Sequence, residues 1–357
     1  MKVLFVLELG LLHYRIPILE KIALDKSVER CDVIHTEDYT NGSYGFTELK
    51  ANVKTLGGFK LITDVKRLKD DYDVIVFSLN LWRPNWLEIL LSSRKAKYIL
   101  WGHGFGRDNN YLIARIVKIG LAKWADAQLF YTESGPKEYE RYGIPGEKLF
   151  VAKNTLHIEN SGRTDEVEKT SLIYVGRIQE RKGVDLLIKA FALIKNEIPG
   201  NINVRIVGNG DTTALRKLAE ENNVQDRVFF EPGAFDDEKL KEIFTTSVAY
   251  VSPNHVGLGV VHSFAYGVPV ITNKRRKHAP EFEYCDETNS LLYEGDVEQL
   301  AQAIKQICND KELQRRLSVG GYEYYQANLT SDTMVNGFLD AFDYVLSKNQ
   351  TESKAIV

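Results

Sequence analysis

Short apolar segments alternate with longer amphipathic segments along the whole chain, and this alternation limits the fold more than any other feature of the sequence. Twelve segments rich in Val, Ile, Leu, Phe and Tyr predict strands: Lys2–Leu7, Asp32–His35, Asp73–Leu79, Tyr98–Trp101, Gln128–Tyr131, Leu149–Ala152, Leu172–Val175, Val204–Val207, Val228–Phe230, Ala249–Ser252, Pro269–Ile271 and Ser290–Tyr293. Most are continuously apolar, as in strands buried on both faces of a parallel sheet. The segments between them, such as Asp185–Ile194, have a helical pattern. We therefore predict doubly wound α/β domains.

The length of the chain predicts two domains. At 357 residues it exceeds the usual size of a single hydrophobic core. Asn154–Thr170 contains a polar stretch without periodicity, which predicts a linker before the strand pattern resumes. We place a first domain at 1–158, a second at 159–330, and a last segment with a helical pattern at 331–357.

Composition narrows the class of protein. The net charge of −3 argues against nucleic acid as the main partner. Cys31, Cys285 and Cys308 have no paired spacing, so we predict neither a disulfide framework nor a zinc site, and we expect a reducing, cytoplasmic location. The first apolar run ends at Glu8, and no later segment reaches the roughly 18 apolar residues of a membrane span, so we expect neither a signal peptide nor a span.

Charge is distributed unevenly along the chain. Residues 1–155 carry 23 basic and 19 acidic side chains, whereas the rest carries 23 and 30. A basic first half suits an anionic acceptor or peripheral contact with a lipid surface, but scatter of surface charge explains the difference equally well. The segment Tyr111–Trp124 leaves two alternatives as well. Its apolar residues, including Ile113 and Ile116, would lie on one side, either against a membrane or, as the strand that follows favours, in a core.

Val251–Ile271 predicts a strand, a turn containing glycine, a short helix and a second strand. Gly257 and Gly259 have no Cβ, so the backbone there can approach a ligand closely. The N–H groups of Val256–Val260 would surround the start of the helix, where the unpaired amides favour an anion. The pattern predicts a site for phosphate or another anion at the carboxyl end of a strand.

A second turn upstream carries two cations. Arg177 comes directly after a predicted strand and Gly176, and Lys182 lies five residues further on, before Gly183. Together the two turns resemble the donor half of retaining glycosyltransferases with the GT-B fold, the family 4 or group 1 type to which glycogen synthase is related. The likeness extends over nearly the whole chain and is stronger in the second domain.

The resemblance implies a fold and a reaction. Two Rossmann-like domains would face a cleft, and a C-terminal helix would cross back to the first domain. A sugar would pass from a UDP- or GDP-linked donor to a hydroxyl of a saccharide or lipid-linked saccharide, with retention, in surface polysaccharide or glycoconjugate synthesis. The family type needs no metal or other cofactor, because Arg177 and Lys182 hold the donor diphosphate. The Asp-x-Asp sequence Asp71–Asp73 directly precedes a buried strand, which explains its acids without a metal.

The chain departs from the Glu-x7-Glu signature of this family. Aligned on Gly267 and Pro269, Asn254 takes the first Glu position and His262 the second. The family's first carboxylate helps to hold the donor sugar and its second accepts hydrogen bonds from the ribose. Asn254 keeps an acceptor without the charge, and His262 accepts only when neutral, so we expect sensitivity to low pH. Packing of His262 beside the sheet is the alternative.

The resemblance implies further donor contacts. Gly208 belongs to the turn after the second strand of the donor domain, where a packing role is equally expected. Gly233 and Ala234 follow the third strand and would lie near the nucleotide base. Gly10, after the first strand of the chain, would approach the donor phosphate.

Acceptor contacts are expected in the first domain. His13 and Tyr14 follow the first strand, and Tyr14 and Arg15 are expected at the surface or at the helix cap. His103 follows a strand within a glycine-rich turn, and the resemblance places it near the transferred sugar. Arg107 is a candidate for binding an acceptor phosphate.

Three other functions stay open at this stage. A GT-B epimerase or phosphorylase would share the donor site, and an epimerase would turn over nucleotide sugar without an acceptor. A dehydrogenase would need Gly-x-Gly-x-x-Gly after the first strand, where the chain has Leu7–Leu11 with a single glycine. A non-catalytic homologue is suggested by Asn254 and His262 and would show no turnover.

Overall fold

The computed structural model describes residues 1–7, 10–56, 59–63, 68–81, 95–105 and 112–354. The chain divides into two compact units. The first unit contains Met1–His157 and Ser331–Val357, and the second contains Ile158–Thr330. These limits lie within one residue of the limits predicted from the sequence.

A seven-stranded parallel sheet forms the centre of the first unit, in the order β3-β2-β1-β6-β7-β8-β9. Its strands, with the separate antiparallel pair β4 and β5, are β1 Lys2–Leu7, β2 Arg30–His35, β3 Thr47–Leu49, β4 Val53–Leu56, β5 Phe59–Ile62, β6 Val74–Ser78, β7 Lys97–Gly102, β8 Ala127–Phe130 and β9 Leu149–Val151. The helices described in this unit are α1 Ile16–Ala23, α2 Leu112–Trp124, α3 Ser134–Glu140 and α10 Ser331–Lys354, with 3₁₀ turns at His13–Arg15, Lys69–Asp71 and Gly146–Lys148.

Both faces of this sheet are covered, which is why its central strand β1 is continuously apolar after Lys2. In β1, Val3 and Phe5 belong to a core on one face of the sheet, and Leu4 and Val6 belong to a core on the other. All four side chains are fully buried. Successive side chains of a strand point to opposite faces, so β1 is buried on both faces and is apolar at every position after Lys2.

The last helix of the chain, α10, packs on the first unit. Phe338 and Phe342 of this helix are fully buried, and their rings lie 5.7 and 6.5 Å from the ring of Phe5. A Cβ at Gly337 would lie 2.3 Å from the carbonyl oxygen of Val151, so only glycine allows the helix to approach the sheet this closely. The predicted return of the final helix to the first domain is confirmed.

A six-stranded parallel sheet forms the centre of the second unit, in the order β12-β11-β10-β13-β14-β15. The strands are β10 Ser171–Val175, β11 Asn203–Val207, β12 Val228–Glu231, β13 Ser247–Ser252, β14 Val270–Asn273 and β15 Ser290–Tyr293. The helices are α4 Val184–Ile194, α5 Thr213–Glu221, α6 Asp237–Thr245, α7 Gly259–Ala265, α8 Val297–Asn309 and α9 Lys311–Asn328, with 3₁₀ turns at Glu180–Lys182 and Pro280–Tyr284.

Each sheet reverses its strand order at one place. The reversal lies between β1 and β6 in the first unit and between β10 and β13 in the second. In open α/β sheets such a reversal leaves a crevice at the carboxyl ends of the two strands, and ligands bind there. The two turns that the sequence analysis identified follow β10 and β13, so the topology brings them to this crevice of the second unit.

The exposure of helix α2 differs from the prediction. Ile113 and Ile116 are exposed, whereas Lys118 is buried and donates to the carbonyl oxygens of Gly104 and Phe105. The core alternative is therefore wrong for Ile113 and Ile116. Leu121 does lie in the core. Among the helices that the structure describes, none combines the length and the apolar character needed to cross a bilayer.

Candidate active site

Two turns meet at the strand-order reversal of the second unit. The Lys182 ammonium donates to the carbonyl oxygen of His255 at 3.0 Å and lies 3.3 Å from Nδ1 of the same residue. Lys182 belongs to the turn after β10 and His255 to the turn after β13. Because a charged donor forms a strong hydrogen bond to a carbonyl, this contact joins the two predicted motifs into one site.

Gly183 and Asn254 make a second contact between these turns. Gly183 has a φ of +69°, and a Cβ there would lie 2.5 Å from Nδ2 of Asn254, so only glycine fits. Oδ1 of Asn254 is buried and has no hydrogen-bond partner among the described residues. Buried acceptors in folded proteins are nearly always paired. The unpaired oxygen therefore points to a donor that a ligand would supply.

The turn before helix α7 presents main-chain amides beside these side chains. The N–H of Val256 donates to Nδ1 of His278 at 3.0 Å, and that of Val260 donates to the carbonyl of Gly257 at 3.1 Å. The N–H groups of Gly257, Leu258 and Gly259 have no acceptor among the described residues. Of the five amides predicted to contact an anion, three are thus available and two are bonded within the chain.

Cationic side chains accompany these amides. Arg177 is exposed after Gly176, and its guanidinium has no ion-pair or hydrogen-bond partner in the part of the chain that the structure describes, although its carbonyl oxygen accepts from the Tyr174 hydroxyl at 2.8 Å. Its neighbour Arg181 instead donates to the side chain of Gln179 at 2.9 Å. The arrangement of Arg177, Lys182 and three amide donors favours a group with two or more negative oxygens.

The sequence model of the family described as Glycosyl transferases group 1 matches residues 159–324, which include all of this site. This segment is similar to the glycosyltransferases of group 1. The lipopolysaccharide core biosynthesis glycosyltransferase LpsE of Rhizobium meliloti is 31% identical over 169 residues, 46% of this chain and 47% of LpsE. A GDP-mannose-dependent phosphatidylinositol monomannoside mannosyltransferase of Mycobacterium tuberculosis is 27% identical over 182 residues, 48% of this chain and 47% of that protein. The matched part therefore spans about half the length of these curated relatives.

Solved structures share the fold over the whole chain. HepE of Anabaena in complex with UDP superposes with a TM-score of 0.75 at 15% identity, covering 96% of this chain and all of that one. Sucrose-phosphate synthase of Thermosynechococcus elongatus gives 0.69 at 16% identity, covering 100% and 99%. The prediction of two Rossmann-like GT-B domains is confirmed.

His262 of the second unit lies on helix α7. Its ring stacks on Phe244 with the centroids 5.7 Å apart, so the packing role is realised. Burial lowers the pKa of His262 to about 4, and the imidazole is neutral at ordinary pH. Neither ring nitrogen has a hydrogen-bond partner among the described residues, which leaves one nitrogen able to accept from a ligand hydroxyl.

Gly208, in the turn after β11 of the second unit, has a packing role. A Cβ at Gly208 would lie 1.9 Å from the carbonyl oxygen of Gly176, so the ends of β10 and β11 approach each other too closely for any other residue. The N–H of Gly233 donates to Oδ1 of Asn209 at 3.0 Å, and Ala234 beside it is half-buried. Asn209, which the sequence analysis did not single out, thus holds the loop expected near the base.

The predicted residues of the first unit lie at the carboxyl ends of its strands. His13 is exposed and Tyr14 half-buried in the 3₁₀ turn before α1. His103 is exposed after β7, and its ring centroid lies 4.5 Å from that of Tyr131. A Cβ at Gly10 would lie 2.8 Å from Cβ of Glu37. Arg107 lies outside the described residues.

Arg15 differs from the expectation that it is exposed or caps a helix. It occupies the N-cap position of α1, but its side chain is buried and forms no cap hydrogen bond. The guanidinium donates to Oδ1 of Asn154 at 2.5 Å and lies 4.9 Å from the ring of Trp101. Aromatic faces and an amide oxygen replace the water that an exposed arginine would bind.

Neither metal ligands nor reactive thiols contribute to a site in the described ranges. No group of three or more His, Cys, Asp or Glu side chains is placed to hold a metal ion there. Asp73 lies at the amino end of β6, away from the ligand-binding edge, and accepts from the Lys2 N–H at 2.7 Å. The three cysteines are free and buried, and burial raises the pKa of each thiol to about 12.

Proposed function

We propose that this protein is a retaining glycosyltransferase that moves a sugar from a UDP- or GDP-linked donor to a hydroxyl of a saccharide or lipid-linked saccharide. The observation that carries the proposal is the joined pair of turns in the second unit. Lys182 contacts His255, and the unpaired Oδ1 of Asn254 lies beside Gly183 in the same place. A diphosphate supplies acceptors for the amides of Gly257–Gly259, and the hydroxyls of a sugar supply a donor for Oδ1 of Asn254.

The proposed reaction needs no nucleophile from the enzyme and no metal. The bond from the anomeric carbon to the donor phosphate oxygen breaks, and both electrons leave with the diphosphate. The acceptor oxygen forms the new bond on the same face and gives its proton to a leaving phosphate oxygen. Arg177, Lys182 and the amides of Gly257–Gly259 stabilise the negative charge that develops. Asn254 accepts from a sugar hydroxyl and neutral His262 from a ribose hydroxyl.

Relatives and neighbours support the donor and acceptor classes. One relative is named for GDP-mannose and others for lipopolysaccharide core synthesis, and HepE was solved with UDP. In the first unit we assign acceptor contacts to His13, Tyr14, His103 and Arg107. We further propose a cytoplasmic protein in peripheral contact with the membrane surface, which the exposed apolar residues Ile113 and Ile116 of α2 support.

A non-catalytic homologue is the second candidate. The observation that favours it is the absence of a carboxylate at both Asn254 and His262, where the family signature has two. Such a protein would bind the nucleotide or its sugar without transferring it. Turnover with donor and acceptor distinguishes the two candidates.

Thermal unfolding with nucleoside diphosphates tests the donor site. UDP and GDP are compared on wild type, on Arg177→Ala, and on the matched control Arg181→Ala, in buffer with EDTA. A diphosphate at 100 times its Kd adds about 2.7 kcal/mol to the stability of wild type and of the control. Arg177→Ala loses this stabilisation. Absence of any shift for wild type at millimolar nucleotide contradicts the proposal, and a shift that requires Mg²⁺ contradicts its metal independence.

A further inference from the structure

His278 lies between the end of β14 and the turn that follows β13. It is half-buried, and its ring stacks on Phe282 with the centroids 4.2 Å apart and the planes 9° apart. Neither the sequence motifs nor the donor contacts assigned above include this residue. Its position nevertheless puts it in direct contact with the main chain of the donor-binding turn.

Two hydrogen bonds fix the protonation of the His278 ring. Nδ1 accepts from the N–H of Val256 at 3.0 Å, and Nε2 lies 2.6 Å from the carbonyl oxygen of Asn273. An amide N–H can only donate and a carbonyl can only accept, so Nδ1 carries the lone pair and Nε2 the proton. Both bonds are made only by the neutral imidazole.

The next residue completes the contact with Val256. The N–H of Ala279 donates to the carbonyl oxygen of Val256 at 3.2 Å, so both polar main-chain groups of Val256 are bonded to the pair 278–279. Val256 is also fully buried. Because Gly257, Leu258 and Gly259 follow directly, the orientation of Val256 determines where their three unpaired amides point.

We propose that His278 is a positioning residue, which holds the turn 254–259 in its anion-binding conformation only while the imidazole is neutral. The inference rests on the proposed function, because the turn is assigned to the donor diphosphate. Protonation would place a second N–H opposite that of Val256, and two donors cannot bond to each other. Nucleotide binding would then weaken at acid pH through the shape of the turn.

The surroundings keep the ring neutral at ordinary pH. Burial lowers the pKa of His278, the carbonyl of Asn273 raises it, and the charge of Lys182 lowers it further. Lys182 acts on the ring from the turn after β10, and the His255 ring lies 6.5 Å away. On its own segment, Lys274 and Arg275 are exposed and paired with Glu294.

Two variants separate the hydrogen bonds from the packing. His278→Gln keeps one acceptor and one donor on a side chain that does not titrate. His278→Phe keeps an aromatic ring beside Phe282 and removes both hydrogen bonds. Hydrogen exchange of the Val256 amide, measured without nucleotide and expressed as a protection factor, reports the turn itself. We expect protection to fall about tenfold or more in His278→Phe and to be retained in His278→Gln.

Affinity for UDP and GDP then reports the consequence for binding. At pH 7.5 we expect a Kd about tenfold higher for His278→Phe and close to wild type for His278→Gln. As the pH falls below 6.5, wild type loses affinity more steeply than His278→Gln. If the Val256 amide of His278→Phe exchanges as slowly as in wild type, the inference is overturned. It is also overturned if that amide loses protection while the affinity for nucleotide stays unchanged. If the Val256 amide responds as expected but wild type binds neither UDP nor GDP at any pH, the proposed function is overturned instead.

Discussion

At the scale of single residues, Gly183 is constrained twice. Its φ of +69° disfavours any side chain, and a Cβ would press on the amide of Asn254. Gly143 has a similar φ of +75°, and nothing lies within 4 Å of a Cβ built there. An alanine at Gly143 therefore measures the cost of the left-handed backbone conformation without a steric clash. We expect Gly143→Ala to lower the free energy of unfolding by about 1 kcal/mol and Gly183→Ala by about twice that or more. Chemical denaturation measures both, and equal losses would contradict the close contact with Asn254.

Asn254 offers a direct test of its unpaired oxygen. Asn254→Ala removes the acceptor that we assign to a sugar hydroxyl, so we expect weaker binding of nucleotide sugar and little change for the nucleoside diphosphate. The loss for a single hydrogen bond is about five- to tenfold in Kd. Isothermal titration with both ligands makes the comparison. An equal loss for both would show that Asn254 shapes the whole site rather than contacting the sugar.

His262 predicts a pH dependence of stability. Its pKa falls from 6.5 in an open chain to about 4 in the fold, so the unfolded state binds the proton more tightly. The stability associated with the neutral ring is fully present above pH 6.5 and is lost as the pH falls towards 4. His262→Gln should therefore lose less stability than wild type between pH 7 and pH 4.5. If the free energy of unfolding changed equally with pH in the two proteins across this range, His262 would not be a buried neutral imidazole.

At the scale of elements, the approach of β10 and β11 depends on Gly208. Gly208→Ala places a methyl 1.9 Å from the Gly176 carbonyl and should push the strand ends apart, at a cost of about 1–3 kcal/mol. Gly200→Ala is the matched control, because nothing lies within 4 Å of its Cβ. Urea denaturation checks both variants. A loss of similar size in the control would show that the effect does not come from the close approach of the two strand ends.

The sequence predicts strands well where burial dictates their composition. All twelve predicted strands occur, because both faces of each sheet are covered and a continuous apolar run is required. The strands β3, β4 and β5 were not predicted. Thr47–Leu49 has three residues with a charge in the middle, and within the described ranges β4 and β5 pair with each other alone. Short or isolated strands lack the pattern that burial imposes.

The residues of the site were predictable only in part. Arg177 and Asn254 stand at strand ends, and parallel strands bring such ends together, so a shared site follows from the order of elements. Two features depend on contacts that no local pattern encodes. The burial of Arg15 requires Trp101 of β7 and Asn154 from the segment after β9, and the role of His278 requires the Val256 amide.

At the scale of the whole molecule, the first unit depends on the last helix for part of its core. Phe338→Ala removes a fully buried ring and should cost about 3–5 kcal/mol. Asn336→Ala, at an exposed position of the same helix, is the control. Calorimetry should show the first unit unfolding at lower temperature in Phe338→Ala, with the transition of the second unit unchanged. A shift of both transitions together would mean that the two units unfold cooperatively.

The return of α10 to the first unit also sets an order of events on the ribosome. Synthesis proceeds from the amino end, and domains generally fold as they emerge. The second unit is one continuous stretch, Ile158–Thr330, and is complete before α10 is translated. The first unit begins to emerge earlier, but its core stays incomplete until the final segment leaves the exit tunnel. Until then Phe5 lacks its contacts with Phe338 and Phe342. The half that is made first is therefore the half that is finished last, and a nascent chain stalled before Ser331 would expose its unfinished core to chaperones.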